Sequence, residues 1–158
     1  MVSVKSSVFR PVTPADRVNY PALEHSIQQW WNEEGVLKKY LHRNEHSDKK
    51  NSFLDGPITA NNPMGVHHAW GRMYKDLYQR YKTMQGYKQR YQNGYDCQGL
   101  WVEVVVEKEL GFKSKLDIEA FRVAEFVQHC KEHVFTYAKR ISEQSIRLGY
   151  WMDWGNDY

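Results

Sequence analysis

The stretch from Gly65 to Met84 constrains this chain most. Trp70, Met73, Tyr74, Leu77, Tyr78, Tyr81 and Met84 recur at three- and four-residue spacings, and Arg72, Lys75, Asp76, Gln79, Arg80 and Lys82 fill the positions between them. That period predicts a long amphipathic helix whose aromatic stripe packs into a core. The run just upstream, "SFLDGP", is short, apolar and stopped by Gly56 and Pro57, so it reads as a strand. Gly86 stands where a C-terminal cap belongs, and residues 87–93 follow as a second strand. Parallel strands need a crossover of a dozen residues or more, which a helix of this length supplies. The expected fold is therefore α/β, with a strand–helix–strand unit near residues 52–93.

The flanks are read the same way. Residues 1–19 are polar, hold Pro11 and Pro14, and suggest an extended arm. A helical period runs from Tyr20 to Tyr40, with Pro21 in its first turn and Gly35 as a break or stop. Residues 42–51 read as a surface loop and "NGYDCQG", Asn93 to Gly99, as a turn. "LWVEVVVEKELG" suits a strand by its valines and a helix by Glu103 and Glu107 at i, i+4. From Asp117 to Leu148 the pattern is helical, with Phe126, Cys130, Val134 and Ile141 on one stripe.

Composition narrows the class. A chain of 158 residues with 41% hydrophobic and 26% charged residues is one foldable domain in size and not a disordered tract. A net charge of +3 permits a nucleic-acid partner without requiring one. Cys97 and Cys130 stand far apart and fit a reducing compartment better than a disulfide scaffold. No apolar run is long enough for a membrane span or a secretory signal, so a soluble, cytoplasmic protein is expected.

Two loops carry candidate chemistry. "DGPITANNPMGVHH" leads from a strand into a helix N-terminus, where free N–H groups and a partial positive charge suit phosphate. His67 and His68 in the first turn add donors that could steady charge on a triphosphate, or are simply polar residues on an exposed turn. Neither a Walker loop nor a GxGxxG run is present. In the second loop Asp96 is placed either to bind a ligand amine or to cap a helix start. Cys97 reads as a passive thiol. His129 and His133, four apart around Cys130, have metal-ligand spacing, but lie towards the polar side of their helix, and no metal site is expected. The interleaved bases and tyrosines of residues 74–95 suit either RNA stacking or core packing, with packing expected.

Five stretches in this order resemble the class I aminoacyl-tRNA synthetases, most closely the isoleucyl branch. They are "YPALEHSIQQWWNEEGVL", "FLDGPITANNPMGVHHAWGRMYKDLYQRYKTMQGY", "NGYDCQGLWVEVVVEKELG", "SKLDIEAFRVAEFVQHCKEHV" and "SIRLGYWMDWGNDY". The resemblance implies the first half of a Rossmann-type nucleotide-binding fold. It divides the chain into an N-terminal arm and helix at 1–50 and a catalytic segment at 51–158 that stops before the editing insertion. It implies activation of isoleucine by ATP with Mg2+, and transfer to tRNA(Ile). By position, His67 and His68 would be catalytic, and Thr59, Gly65 and His68 would bind ATP. Pro57, Ile58, Asp96 and Gln98 would bind the amino acid, Asp96 through its α-ammonium. No protein-bound metal is implied.

The chain departs from the pattern at three points. Gln98 stands where the family usually has His, and Trp101 where it usually has Pro. The family's His-x-Gly-His signature is here Gly65, Val66, His67, His68. On a regular helix positions 65 and 67 lie about 200° apart, so His67 is not expected to take the place of the missing first His. The Lys-Met-Ser-Lys-Ser motif does not occur. The expected partner is the remainder of a synthetase chain, and the 158 residues alone are expected to be inactive. The alternative is a non-catalytic remnant that binds tRNA or a partner protein.

Overall fold

A computed structural model describes residues 17–52 and 56–158. Most of the expected arm, and Phe53–Asp55 of the expected first strand, lie outside the described residues. The chain divides into two compact units, one ending at Val36 and one starting at Leu37. The first holds α1 (Tyr20–Glu33), opened by Asn19, whose side chain accepts the Ala22 N–H at 3.1 Å, and by a proline in its first turn. Gly35, with φ +60, ends it, and α2 (Val36–Leu41) follows.

In the second unit, β1 (Lys50–Asn51) and β2 (Ile58–Thr59) pair in parallel with β3 (Lys88–Gln89) and β4 (Tyr95–Asp96). The crossover is α3 (Val66–Met84). The parallel strand–helix–strand unit is therefore present. The strands differ from the expected ones: β1 takes Lys50–Asn51 from the expected surface loop, β2 follows the Pro57 stop, the expected strand 87–93 is only β3, and Tyr95 and Asp96, expected in a turn, are the separate β4. Lys50 pairs with Lys88, yet Ile58 pairs with Tyr95, so the second pairing has slipped by one residue. Without that slip Thr59 would face Cys97. With it, Thr59 faces Asp96.

Tyr158 lies beside β4, its N–H donating to the Asn93 carbonyl at 3.1 Å and its carbonyl accepting the Tyr95 N–H at 3.0 Å. Its ring occupies the space next to Gly94, where an added Cβ would come within 2.5 Å of it. Only glycine admits that approach.

The ambiguous valine segment is a helix, α4 (Leu100–Glu109), because Val102 and Val106 bury one face. Glu103 and Glu107, outward, pair with Lys115. The last helical region is broken at Arg122, with φ 84, into α5 (Leu116–Phe121) and α6 (Val123–Arg147). An apolar cluster of Ala60, Val102 and Val134 joins the end of β2 to α4 and α6, with Tyr95, Cys130, Tyr137 and Ala138 packed around it.

The expected orientation of α3 is reversed. Its aromatic stripe is exposed: Trp70, Leu77 and Tyr78 keep 62%, 62% and 67% of their surface in water, while Arg72 and Gln79 keep 3% and 1%. The core-packing role expected for its tyrosines is therefore corrected. The polar face turns inward because partners wait there. Arg72 donates to Asn93 Oδ1 at 3.0 Å. Thr83 shares hydrogen bonds with Tyr40 and Tyr91. Arg80 pairs with Asp76 at 2.7 Å, donates to the Gly149 carbonyl at 2.8 Å, and lies 3.7 Å over the Trp151 ring. Burial pushes the Asp76 carboxyl up despite the Arg80 guanidinium beside it.

Candidate active site

Both candidate loops leave the carboxyl ends of paired parallel strands, where open α/β sheets bind ligands. From β2 the chain passes through residues 60–65 to α3, and from β4 through residues 97–99 to α4. The pairing of Thr59 with Asp96 is reinforced by their side chains, as the Thr59 hydroxyl donates to Asp96 Oδ2 at 3.0 Å. Asp96 Oδ1 accepts the Gln98 N–H at 3.2 Å. The bond reaches two residues on, an Asx-type turn. The N-cap of α4 is Gly99, at φ 98 and without a side chain, so Asp96 is not a helix cap. One donor on each oxygen fixes the carboxylate and leaves it lone pairs for a further donor. Pro57 and Ile58 are half-buried, while Gln98 and Trp101 are exposed.

The start of α3 is built around Gly65, which is extended (φ -82, ψ 166) and sits at the N-cap. His68 Nδ1 accepts the Gly65 N–H at 3.1 Å. That bond assigns the ring proton to Nε2, which is left as a donor. Burial, then the neighbouring charges of His67 and Arg72, hold the His68 pKa below its ordinary value, so the ring is neutral at pH 7. The rings of His67 and His68 lie 3.8 Å apart.

Helix geometry had placed His67 away from the missing side chain of residue 65. The structure brings them together: a Cβ added to Gly65 would lie 2.9 Å from His67 Cε1 and 3.0 Å from its Nδ1. The 100° rule fails because residue 65 is extended and not helical, and because helical side chains lean back toward the N-terminus. Gly65 makes room for the His67 ring.

Residues 26–158 match the family model of the tRNA synthetases class I (I, L, M and V). The chain belongs to the class I tRNA synthetases. This synthetase chain is 42% identical over 155 residues to the isoleucine–tRNA ligase of Streptomyces avermitilis, covering 98% of the chain and 14% of that relative. It is 42% identical over 151 residues to that of Dehalococcoides mccartyi (96% and 15%), and 43% identical over 140 residues to that of Thermus thermophilus (89% and 13%). It thus spans about a seventh of the curated relatives it matches.

Other expectations meet the geometry of this synthetase chain in different ways. Cys97 is exposed, and partial desolvation by its surroundings, with the Asp96 charge, raises its thiol pKa, which suits a passive role. His133 was expected towards the polar side of its helix. It is buried, and its two ring nitrogens face Glu109 and the Asn61 carbonyl, so it cannot join His129 in a metal pair as it stands. No helix among the described residues is long and apolar enough to cross a membrane. Sequence reading missed the grip of α6 on the signature loop, where Gln144 Oε1 accepts the Met64 N–H at 2.7 Å. It also missed the charge that Arg72 sets near His68. The first joins residues 80 apart in sequence; the second is an i, i+4 neighbour on α3, a spacing that could have announced it.

Proposed function

We propose that this chain is the N-terminal part of the catalytic domain of an isoleucine–tRNA ligase. On this reading the catalytic segment, residues 51–158, is the first half of a Rossmann-type fold, and the segment to residue 50 precedes it. The observation that carries this reading is the pairing of Thr59 with Asp96 at the carboxyl end of a parallel ladder whose strand β2 leads into a helix start that presents a neutral imidazole donor. Asp96 would take the α-ammonium of isoleucine, with Pro57, Ile58 and Gln98 lining the side-chain space. Thr59, Gly65 and His68 would meet ATP, which carries its own Mg2+ on the phosphate oxygens. His67 and His68 would stabilise the charge that develops as pyrophosphate leaves, a role that needs fixed donors and no proton transfer. His67 would do so from beside Gly65, in place of the family's first His.

The exposed aromatic stripe of α3 supports the remainder of a longer synthetase chain as its cover. On this reading the 158 residues alone do not charge tRNA(Ile), and the full enzyme works in the cytoplasm. ATP–pyrophosphate exchange by the complete reading frame tests it, with isoleucine, valine and leucine compared. Isoleucine is expected to drive exchange best. Preference for valine or leucine would reject the isoleucine assignment.

One observation favours a second reading, a remnant that binds tRNA. Trp70, Tyr74 and Tyr78 are exposed, with Lys75 and Lys82 on the same helix, and exposed aromatics among bases can stack RNA. Salt-dependent tRNA binding by the 158-residue chain, lost in Tyr78→Ala, together with no exchange by the full frame, would favour it.

A further inference from the structure

The loop at residues 60–65 carries the start of α3, and α6 holds it at a second point. His133 Nε2 lies 3.0 Å from the Asn61 carbonyl oxygen, and His133 Nδ1 lies 3.2 Å from Glu109 Oε2 on α4. The residue keeps only 8% of its surface in water. A carbonyl oxygen and an ionised carboxylate are both acceptors, so both bonds form together only when both ring nitrogens carry protons. The ring joins three elements: loop, α4 and α6. A neutral ring has one donor and must leave one acceptor facing a lone pair.

We propose that His133 is a positioning residue whose protonated ring latches the signature loop and so sets the helix start where ATP binds. The ATP part rests on the function proposed above. Four titratable groups surround the latch. Glu109 faces the ring from α4. His129, Glu132 and Tyr137 flank it on α6, with the Tyr137 ring 4.6 Å away. The loop, "ANNPMG", has no titratable side chain. A cleft of about 320 Å³ between α4 and α6 gives solvent a path to the ring. Protonation of His133 therefore changes the tether of a loop that has no ionisable side chain of its own.

The test reads loop and ring separately. The protection factor of the Met64 amide, which donates to Gln144, is measured in the 158-residue chain from about pH 5.5 to 8.5, the interval in which histidines change charge. Imidazole nitrogen shifts report the protonation of His133. Wild-type protection is expected to fall about tenfold as His133 loses its proton, as opening of a low-stability segment does. His133→Gln offers one non-titrating donor to Asn61, and its protection is expected to stay flat with pH. His133→Ala is expected to be low throughout. A wild-type profile that ignores His133 protonation, or a His133→Gln profile that matches wild type, overturns the proposal. ATP–Mg2+ affinity of the complete reading frame by calorimetry is the second arm. It should weaken across the same interval in wild type and hold in His133→Gln. ATP binding that is equally pH-dependent in both overturns the latch's role at the nucleotide. If wild type binds no ATP while protection still follows His133, the latch stands and the function proposed above fails.

Discussion

The helices α3 and α6 have comparable amphipathic patterns and opposite outcomes. In α6 the apolar stripe turns inward, and Phe126, Val134 and Ile141 keep at most 5% of their surface in water. In α3 the apolar stripe turns outward and the polar face is buried. The difference lies in what each helix meets. The inner face of α6 finds Val102 on α4 and Ala60 after β2. The inner face of α3 finds Asn93, Tyr91 and the Gly149–Trp151 backbone, which offer hydrogen bonds. A hydrophobic period shows that a helix has two faces. The surface available to it decides which one is buried.

That comparison can be broken by substitution. Ile141→Ala, in the α6 stripe, is expected to cost about 2–5 kcal/mol in urea unfolding of the 158-residue chain, the range for a buried aliphatic side chain cut to alanine. A loss within about 0.5 kcal/mol, the scale of surface changes, would mean that this stripe is not the core. Asn93→Ala removes the acceptor of a buried guanidinium and should cost about 1–3 kcal/mol or more. Leu77→Ser, in the exposed stripe, should change stability by no more than about 0.5 kcal/mol. A large loss there would show the α3 stripe packed in solution.

The smallest effect is one of pH. The folded-state pKa of His68 lies below 6.5. Between that lowered value and 6.5 the unfolded chain binds more protons, so stability rises with pH. His68's contribution is complete above pH 6.5 and is lost as pH falls through the folded value. His68→Gln should flatten that part of the stability–pH curve, read by urea unfolding at several pH values. An unchanged slope would remove His68 from the semi-buried, uncharged role given to it.

What could be read in advance follows the same physics. The helix Val66–Met84 was legible, because a long 3.6 period and a cap glycine are local signals, while the short strands before it fell at Lys50–Asn51 and Ile58–Thr59, on either side of the expected run. The strand at Tyr95–Asp96 was not, because its hydrogen bonds come from Ile58 and Thr59, far away in sequence, and glycines at 94 and 99 imitate a turn. The valine segment stayed ambiguous until Val102 and Val106 had a surface to bury against. The carboxylate and the His pair were visible as residue types in family positions. Their geometry was not: the Thr59–Asp96 bond depends on a one-residue slip of register, and His67 reaches Gly65 only because that residue is extended. His133 looked like a polar-side residue because its two partners lie on other elements.

The central claim is that Asp96 and His68 form one adenylate-forming site. Isoleucine-dependent ATP–pyrophosphate exchange by the complete reading frame tests it most directly, comparing wild type with Asp96→Ala and His68→Ala. Each variant is expected to lose at least about 100-fold in rate, the scale of removing one fixed charge or donor from such a site. Wild-type exchange that survives both substitutions would contradict the account.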